Sequence, residues 1–243
     1  MARTSSPFPC FFTVPAIPAI GGIDSYTKLM LHLDNNVTDS SLVPKTVTNV
    51  GCTFSNTTSK FSYSALDAAN AYMTVPSSSD FAFGTGNFTV DFWFYRNAIN
   101  GGSDTLFSQV QDQSANYSDF YMYGTSSNIA FEYRVVSGGV TQLDIYGSTG
   151  VPLSLNAWHH IAVIRGWGGN PNMVAITIDG VAVLTSSSYS GSVPTFTCPF
   201  DIGHAGWSGQ PRYVNGYFDE IRVSKGIARW TSNFTTPIAP YTT

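Results

Sequence analysis

Few side chains in this sequence could do chemistry, and the acids come first. Asp219 stands in Tyr217-Phe-Asp-Glu-Ile-Arg-Val223, where strict strand alternation puts it in phase with Tyr217, Ile221 and Val223. A bare carboxylate among residues that favour burial costs several kcal/mol. Backbone N–H groups of a turn, an arginine such as Arg222 or Arg229, or a hard cation would each satisfy it. Asp34, which ends the run carrying Leu29, Leu31 and Leu33, is the second carboxylate available to a cation. Calcium suits such a pair completed by loop carbonyls, because it takes oxygen ligands in irregular geometry.

Catalysis has less support. Cleavage of a glycosidic bond asks for two carboxylates straddling it. Glutamate occurs only at Glu132 and Glu220, and Asp91 is a single acid on an aromatic strand. No Gly-x-Ser-x-Gly elbow is present. His159 and His160 are adjacent, so a strand would point them to opposite faces, away from a shared metal. Binding fits better. Trp167 lies in Arg165-Gly-Trp-Gly-Gly-Asn-Pro171, and Trp207 in His204-Ala-Gly-Trp-Ser-Gly-Gln-Pro-Arg-Tyr213. Flanking glycines give a ring no side-chain cover, and exposed rings stack on sugars or on partner chains. Gln210, Arg212 and Tyr213 stand beside Trp207, with Tyr117 and Tyr189 as lesser candidates. The alternative is that each ring folds back as a plug over the end of the fold.

The positioning elements follow from composition and pattern. With 243 residues the chain has room for a sizeable core, yet only 11% of it is charged, less than half the usual share of about 25%. Polarity comes instead from Ser, Thr, Asn, Gln and Gly. The net charge of −4 and the lack of any Lys/Arg run exclude nucleic acid and anionic membrane as expected partners. No apolar run approaches the ~20 residues that span a bilayer. Cys10, Cys52 and Cys198 match neither a zinc spacing nor a disulfide framework. Five Asn-x-Ser/Thr sequons, at Asn36, Asn56, Asn87, Asn116 and Asn233, carry little weight in a chain so rich in Ser and Thr without a convincing secretion signal.

Residues 1–25, punctuated by Pro7, Pro9, Pro15 and Pro18, read as an extended arm, and 26–243 as one domain. Strands are expected at 27–34, 71–75, 87–95, 104–110, 118–123, 128–136 and 140–146, within 152–165 after an opening turn, and at 173–179, 181–184, 199–203 and 213–223. Asp179-Gly180 marks a hairpin turn. Helix is limited to one turn near 226–230. A dozen short strands with almost no helix means an all-β sandwich of two antiparallel sheets.

Four stretches then line up in order: the Leu-rich run ending in Asp34; Phe88-Thr-Val-Asp-Phe-Trp93; Leu155-Asn-Ala-Trp-His-His-Ile-Ala-Val163 with Ile178-Asp-Gly180; and Gly216-Tyr-Phe-Asp-Glu-Ile-Arg-Val223 with Ala228-Arg-Trp230 and Phe234. As a set, over residues 26–237, they resemble the laminin-G-like, concanavalin A-like jelly-roll family, in the branch found in bacteriophage virion and bacterial surface proteins. The resemblance implies a two-sheet antiparallel jelly roll, binding of glycans or protein surfaces, and often a structural calcium near the seam of first and last strands. It places Trp93, Trp158 and Trp230 in the framework. The Glu-x-Asp-x-(x)-Glu strand of the sandwich-fold glucanases is missing. The expectation is therefore a non-catalytic virion surface or structural protein, as decoration, fibre or tail-associated component. Its arm would dock on capsid or tail proteins, it would assemble as a homo-oligomer, and its loops would face glycans. A secreted or cell-surface carbohydrate-binding module is the alternative.

Overall fold

A computed structural model of the chain describes residues 22–67, 70–99, 102–186, 189–207 and 212–242. The arm up to residue 21, Cys10 and Gln210 lie outside the described residues. β-Branched and aromatic residues fit a pleated, half-buried backbone, and they dominate the strands. β1 (Thr27–Leu31), β2 (Thr48–Val50), β3 (Thr53–Ser55), β4 (Ser64–Asp67) and β5 (Tyr72–Val75) come first. β6 (Phe88–Arg96), β7 (Asp104–Asp112), β8 (Asn116–Gly124), β9 (Ile129–Ser137) and β10 (Val140–Ser148) are long. β11 (Trp158–Arg165), β12 (Val174–Ile178), β13 (Val181–Ser186) and β14 (Phe200–Ile202) follow. The short pair β15 (His204–Ala205) and β16 (Arg212–Tyr213) precedes β17 (Gly216–Lys225). Among the described residues helix is confined to 3-10 turns at Ser79–Phe81 and Trp167–Gly169, and 226–230 is not helical.

The strands form two antiparallel sheets packed as a jelly-roll sandwich. The first runs β13-β12-β11-β6-β17-β4-β3 with β1 also on β17, and the second runs β10-β9-β8-β7-β14-β5-β2. Their inner faces share one apolar core. Phe88, Val90, Phe92 and Phe94 of β6 meet residues such as Phe107, Phe120, Phe131 and Tyr133 of the second sheet. Asp179 and Gly180 both take positive φ (50° and 79°), which makes the β12–β13 turn the two-residue hairpin their sequence predicts. The short strands β2, β3, β4 and β15 escape the sequence pattern.

One departure from simple alternation governs the first sheet. The register of β17 against β6 shifts between Asp219 and Arg222, and Glu220 inside that bulge has φ 51°. A one-residue bulge moves every later side chain to the other face. Phe218 therefore points into the core before the bulge, while Ile221 and Val223 point in after it. Asp219 is not in phase with Ile221 and Val223, contrary to strict alternation. The shift also turns Arg222 outward, where it meets Asp91 from β6 (Nε to Oδ1 3.1 Å).

That outer face is covered by the chain itself. Trp230 and Phe234 stack in parallel at 3.9 Å, and both meet His160 edge-on. Tyr241 donates its hydroxyl to Asp91 (2.5 Å), and its backbone N–H goes to Glu220 (2.7 Å). The start of the described chain is tied to the same place. Ile23 N–H donates to the Thr242 carbonyl at 2.8 Å, and Arg229 grips Asp24 at 2.7 and 2.8 Å. Residues 22–25, read from sequence as the end of the arm, are thus fastened to the domain. Trp158, expected in the core, is half-buried on this outer side instead, in a row with Tyr95 and Tyr217 at ring distances of 5.5 and 5.8 Å.

Asp91 is fully buried. Burial would push its carboxyl up, but Arg222, His160 and Tyr241 outweigh it and hold the group at about 2. Asp91→Ala strands Arg222 in a dry site and should destabilise the fold by about 3–5 kcal/mol, read from chemical denaturation. A loss below about 1 kcal/mol would show that the network does not hold the sheet.

Candidate functional site

The outer face of the second sheet is built differently. Along β8, Ser118, Phe120 and Met122 face the core, so Tyr117, Asp119, Tyr121 and Tyr123 face outward. On β9, Glu132 lies opposite Tyr121, and Arg134 opposite Asp119. The β15–β16 pair hangs from β7, where Ser108 Oγ donates to the His204 carbonyl at 2.8 Å. It delivers Trp207 and Arg212 onto β8. Trp207 Nε1 donates to Asp119 Oδ2 at 3.0 Å, and Arg212 Nη1 reaches the same oxygen at 3.3 Å. The Arg212 guanidinium lies 4.8 Å from the Tyr121 ring and 5.2 Å from the Trp207 ring. Tyr117 meets Trp207 edge-on at 5.0 Å. Together these groups line an open cleft of about 120 Å³.

Its electrostatics are set by burial. Asp119 is almost wholly enclosed, and desolvation pushes its carboxyl up to about 6, although Arg212 and Trp207 favour the charged form. The Thr105 hydroxyl also favours the charged form. Glu132 accepts the Tyr121 hydroxyl proton, and its other oxygen lies 3.9 Å from Arg134. The Tyr121 phenol is pushed up by desolvation and by this bond to Glu132. The cleft therefore offers an indole face, two guanidiniums and one accessible carboxylate oxygen. Such a set can stack on a sugar ring and exchange hydrogen bonds with its hydroxyls.

The residues singled out by sequence fall into separate places. Trp207 and Arg212 meet in this cleft. Tyr213 does not enter it, because its ring is held in a cluster with His204 (4.7 Å) and Tyr72 (6.4 Å). Trp167, expected to be exposed, is 8% exposed and packs with Ala162, Ile164, Ala175 and Trp230 on the first sheet. The glycines around it make a tight 3-10 turn that folds the ring inward, the plug alternative. Tyr189 packs against the main core. Asp219 Oδ2 accepts the backbone N–H groups of Lys60 (3.0 Å) and Phe61 (3.2 Å). Asp34 is exposed. Among the described residues no group of three or more His, Cys, Asp or Glu is placed to hold a metal. Calcium wants six to eight oxygens, so two aspartates, one already engaged by amides, are a poor fit.

Residues 67–229, more than half of the chain, match the laminin-G model of the concanavalin A-like lectin/glucanases superfamily. The chain belongs to this family. No curated protein matches it in sequence. Among solved structures, domain 4 of AbnA, a GH43 extracellular arabinanase of Geobacillus stearothermophilus in complex with arabinotriose, is similar at TM-score 0.60 and 17% identity, covering 83% of this chain and 93% of that one. The binding domain of Paraclostridial Mosquitocidal Protein 1 gives 0.61 at 13% identity, over 84% and 50%. The binding domain of botulinum neurotoxin DC in complex with SialylT gives 0.59 at 13% identity, over 87% and 50%. The chain thus spans about half the length of each toxin domain. At these identities the likeness is one of fold.

Asp119, Tyr121 and Arg134 were missed in the sequence, and Glu132 was weighed only as a catalyst. The signal was present in Tyr117-x-Asp-x-Tyr-x-Tyr123, a polar and aromatic row at every second position of a strand.

Two outcomes follow at the Asp219 corner. Burial pushes Asp219 up to about 7 from its ordinary 3.8, against the bonds from Phe61 and Lys60, and Glu220 and Asp34 add to the rise. A carboxyl raised on folding stabilises the protonated fold, so stability is lost as pH climbs from about 4 through about 7. Asp219→Asn should flatten that part of the stability profile, measured by urea titration across the range, and an unchanged slope would refute the assignment. Calcium added to chelator-treated protein should leave Tm unmoved. A rise that Asp219→Asn abolishes would restore the ion to Asp34 and Asp219.

Proposed function

We propose that this chain is a non-catalytic glycan-binding module whose ligand sits on the outer face of the second sheet, against Trp207, Arg212 and Glu132. The observation that carries this is the convergence of the Trp207 indole N–H and Arg212 on the buried Asp119. It fixes a large ring and a guanidinium at the mouth of a cleft, so little ordering remains to be done when a ligand arrives. The corresponding face of the first sheet is roofed over much of its length by residues 226–242, which leaves the second sheet as the working surface. The arabinotriose held by the arabinanase domain supports a sugar as ligand for this architecture.

Hydrolysis is disfavoured by the acids themselves. Asp119 and Glu132 share the cleft, as a cleaving pair would. Asp119, however, lies beneath Trp207 and Arg212, and Glu132 is occupied by Tyr121. At most one carboxylate oxygen, on Glu132, is left to the cleft, so the opposed pair that cleavage needs is not assembled. The wider setting, the outside of a bacteriophage virion with the arm docked on a capsid or tail protein and copies of the chain assembled together, belongs to the same proposal. It rests on the family resemblance and the charge-poor composition. A secreted or cell-surface module is its alternative. Particles assembled with a chain lacking residues 1–21, the part of the arm before the segment fastened to the domain, should lose the protein, and normal incorporation would favour the alternative.

A glycan array on the purified protein should give specific hits that Trp207→Ala and Arg212→Ala each weaken by at least roughly tenfold, about 1.4 kcal/mol, with Tm checked alongside. Because Asp119 pairs with Arg212 as an ion only when charged, affinity should fall as pH drops through about 6. Release of reducing ends from any hit would overturn the non-catalytic reading.

A further inference from the structure

The chemistry around the cleft defines what kind of glycan it takes, an inference that rests on the binding role proposed above. Three carboxylates, Asp119, Glu132 and Asp144, face two guanidiniums, which leaves one net negative charge. Neither guanidinium is unclaimed. Arg212 is bound to Asp119 at 3.3 Å, while Arg134 sits between Glu132 at 3.9 Å and Asp144 at 3.7 Å. A ligand carboxylate or sulfate brought to either guanidinium would face the acids already beside it. Like charges held close in a partly desolvated cleft repel by several kcal/mol. Hydroxyls meet no such barrier. They donate to Glu132 and accept from Arg134 without disturbing either.

The size of the face bears on ligand length. A cleft of about 120 Å³ is well below the several hundred Å³ of sites that engulf a small molecule. It takes the edge of one ring. Aromatic surface nevertheless continues beyond it. Tyr121 and Tyr123 lie 6.1 Å apart, and Tyr123 stacks on Tyr146 in near-parallel fashion at 6.0 Å and 11°. Tyr146 is 63% exposed on β10, a large ring turned to solvent with no roof. Outward positions on a strand repeat every ~6.7 Å, so Tyr117 to Tyr123 spans roughly 20 Å. A single sugar leaves most of that length empty.

We infer that the cleft holds one residue of a neutral, unbranched oligosaccharide, that the chain continues over Tyr123 and Tyr146, and that anionic glycans are rejected. Trp207 and Arg212 anchor one end, Glu132 reads hydroxyls beside them, and the tyrosine pair supplies a second stacking station.

Isothermal titration of the full chain with neutral arabino-, xylo-, manno- and cello-oligosaccharides of increasing length, beside sialyllactose and oligogalacturonides, tests this. In at least one neutral series the affinity should climb with length, and Tyr146→Ala should remove that gain, roughly tenfold for a second stacked ring. The same variant should leave the shortest binder unaffected, and its exposed position keeps the fold intact. Acidic sugars should give no heat. Tighter binding of sialyllactose or oligogalacturonide, abolished by Trp207→Ala, would overturn the neutral assignment while the site itself stood. Affinity independent of length, or a Tyr146→Ala variant that binds long chains as the wild type does, would overturn the extended track. Failure of every probe, together with a blank glycan array, would remove the binding role and this inference with it.

Discussion

A buried carboxylate sets the terms for much of this molecule. Asp91 points away from the core on the central strand of the first sheet, where no water reaches it. Such a charge persists only if it is paired and hydrogen-bonded. Arg222 supplies the pair, and the bulge at Glu220 is what brings that arginine to the correct face. His160 and the Tyr241 hydroxyl complete the shell at 3.5 and 2.5 Å. Because Tyr241 lies almost at the end of the chain, satisfying Asp91 drags the C-terminal segment across the sheet. Trp230 and Phe234 then pack down on the way, with Trp167 beneath them. A polar requirement at one strand position thereby becomes a third layer of structure.

The family fold was legible because it depends on patterns that survive at any single strand. Aromatic and β-branched runs marked the central strands, and Asp179-Gly180 marked a hairpin. What escaped depends on context. The bulge has no local signature, since Glu220 at positive φ is not a glycine, and without it the phase of Asp219 came out wrong. Trp167 and Trp207 have similar glycine-rich surroundings, yet one turn folds its ring inward and the other lays its ring across β8. The difference lies in the neighbours. Trp167 finds an apolar bed of Ala162, Ile164 and Ala175, whereas Trp207 finds Asp119, an acceptor for its N–H.

The low charge content gains a meaning from where the charges sit. Several of the fifteen acids are enclosed: Asp91 with Arg222, Asp104 with Arg96 at 2.5 Å, and Asp119 with Arg212. Each such pair joins segments distant in sequence or neighbouring strands, and each costs desolvation that its hydrogen bonds must offset. Asp219 meets the same problem without an arginine, through two amides that only partly offset its burial, and sits at about 7. The sequence alternatives for that residue were a turn, an arginine or a cation. The backbone wins because the segment at Lys60 and Phe61 passes directly over it.

These solutions divide labour between the sheets. On the first, a charge is neutralised by drawing the chain's own tail over it, which spends that surface on stability. On the second, Asp119 is neutralised from the side by a two-strand appendage, so that only one carboxylate is capped and the neighbouring tyrosines stay open. The same buried-acid motif therefore closes one face and furnishes the other. The family match, over residues 67–229, takes in strands of both sheets and cannot tell them apart. The partners of Asp91 and Asp119 can: one acid draws the chain across its face, and the other leaves its face open.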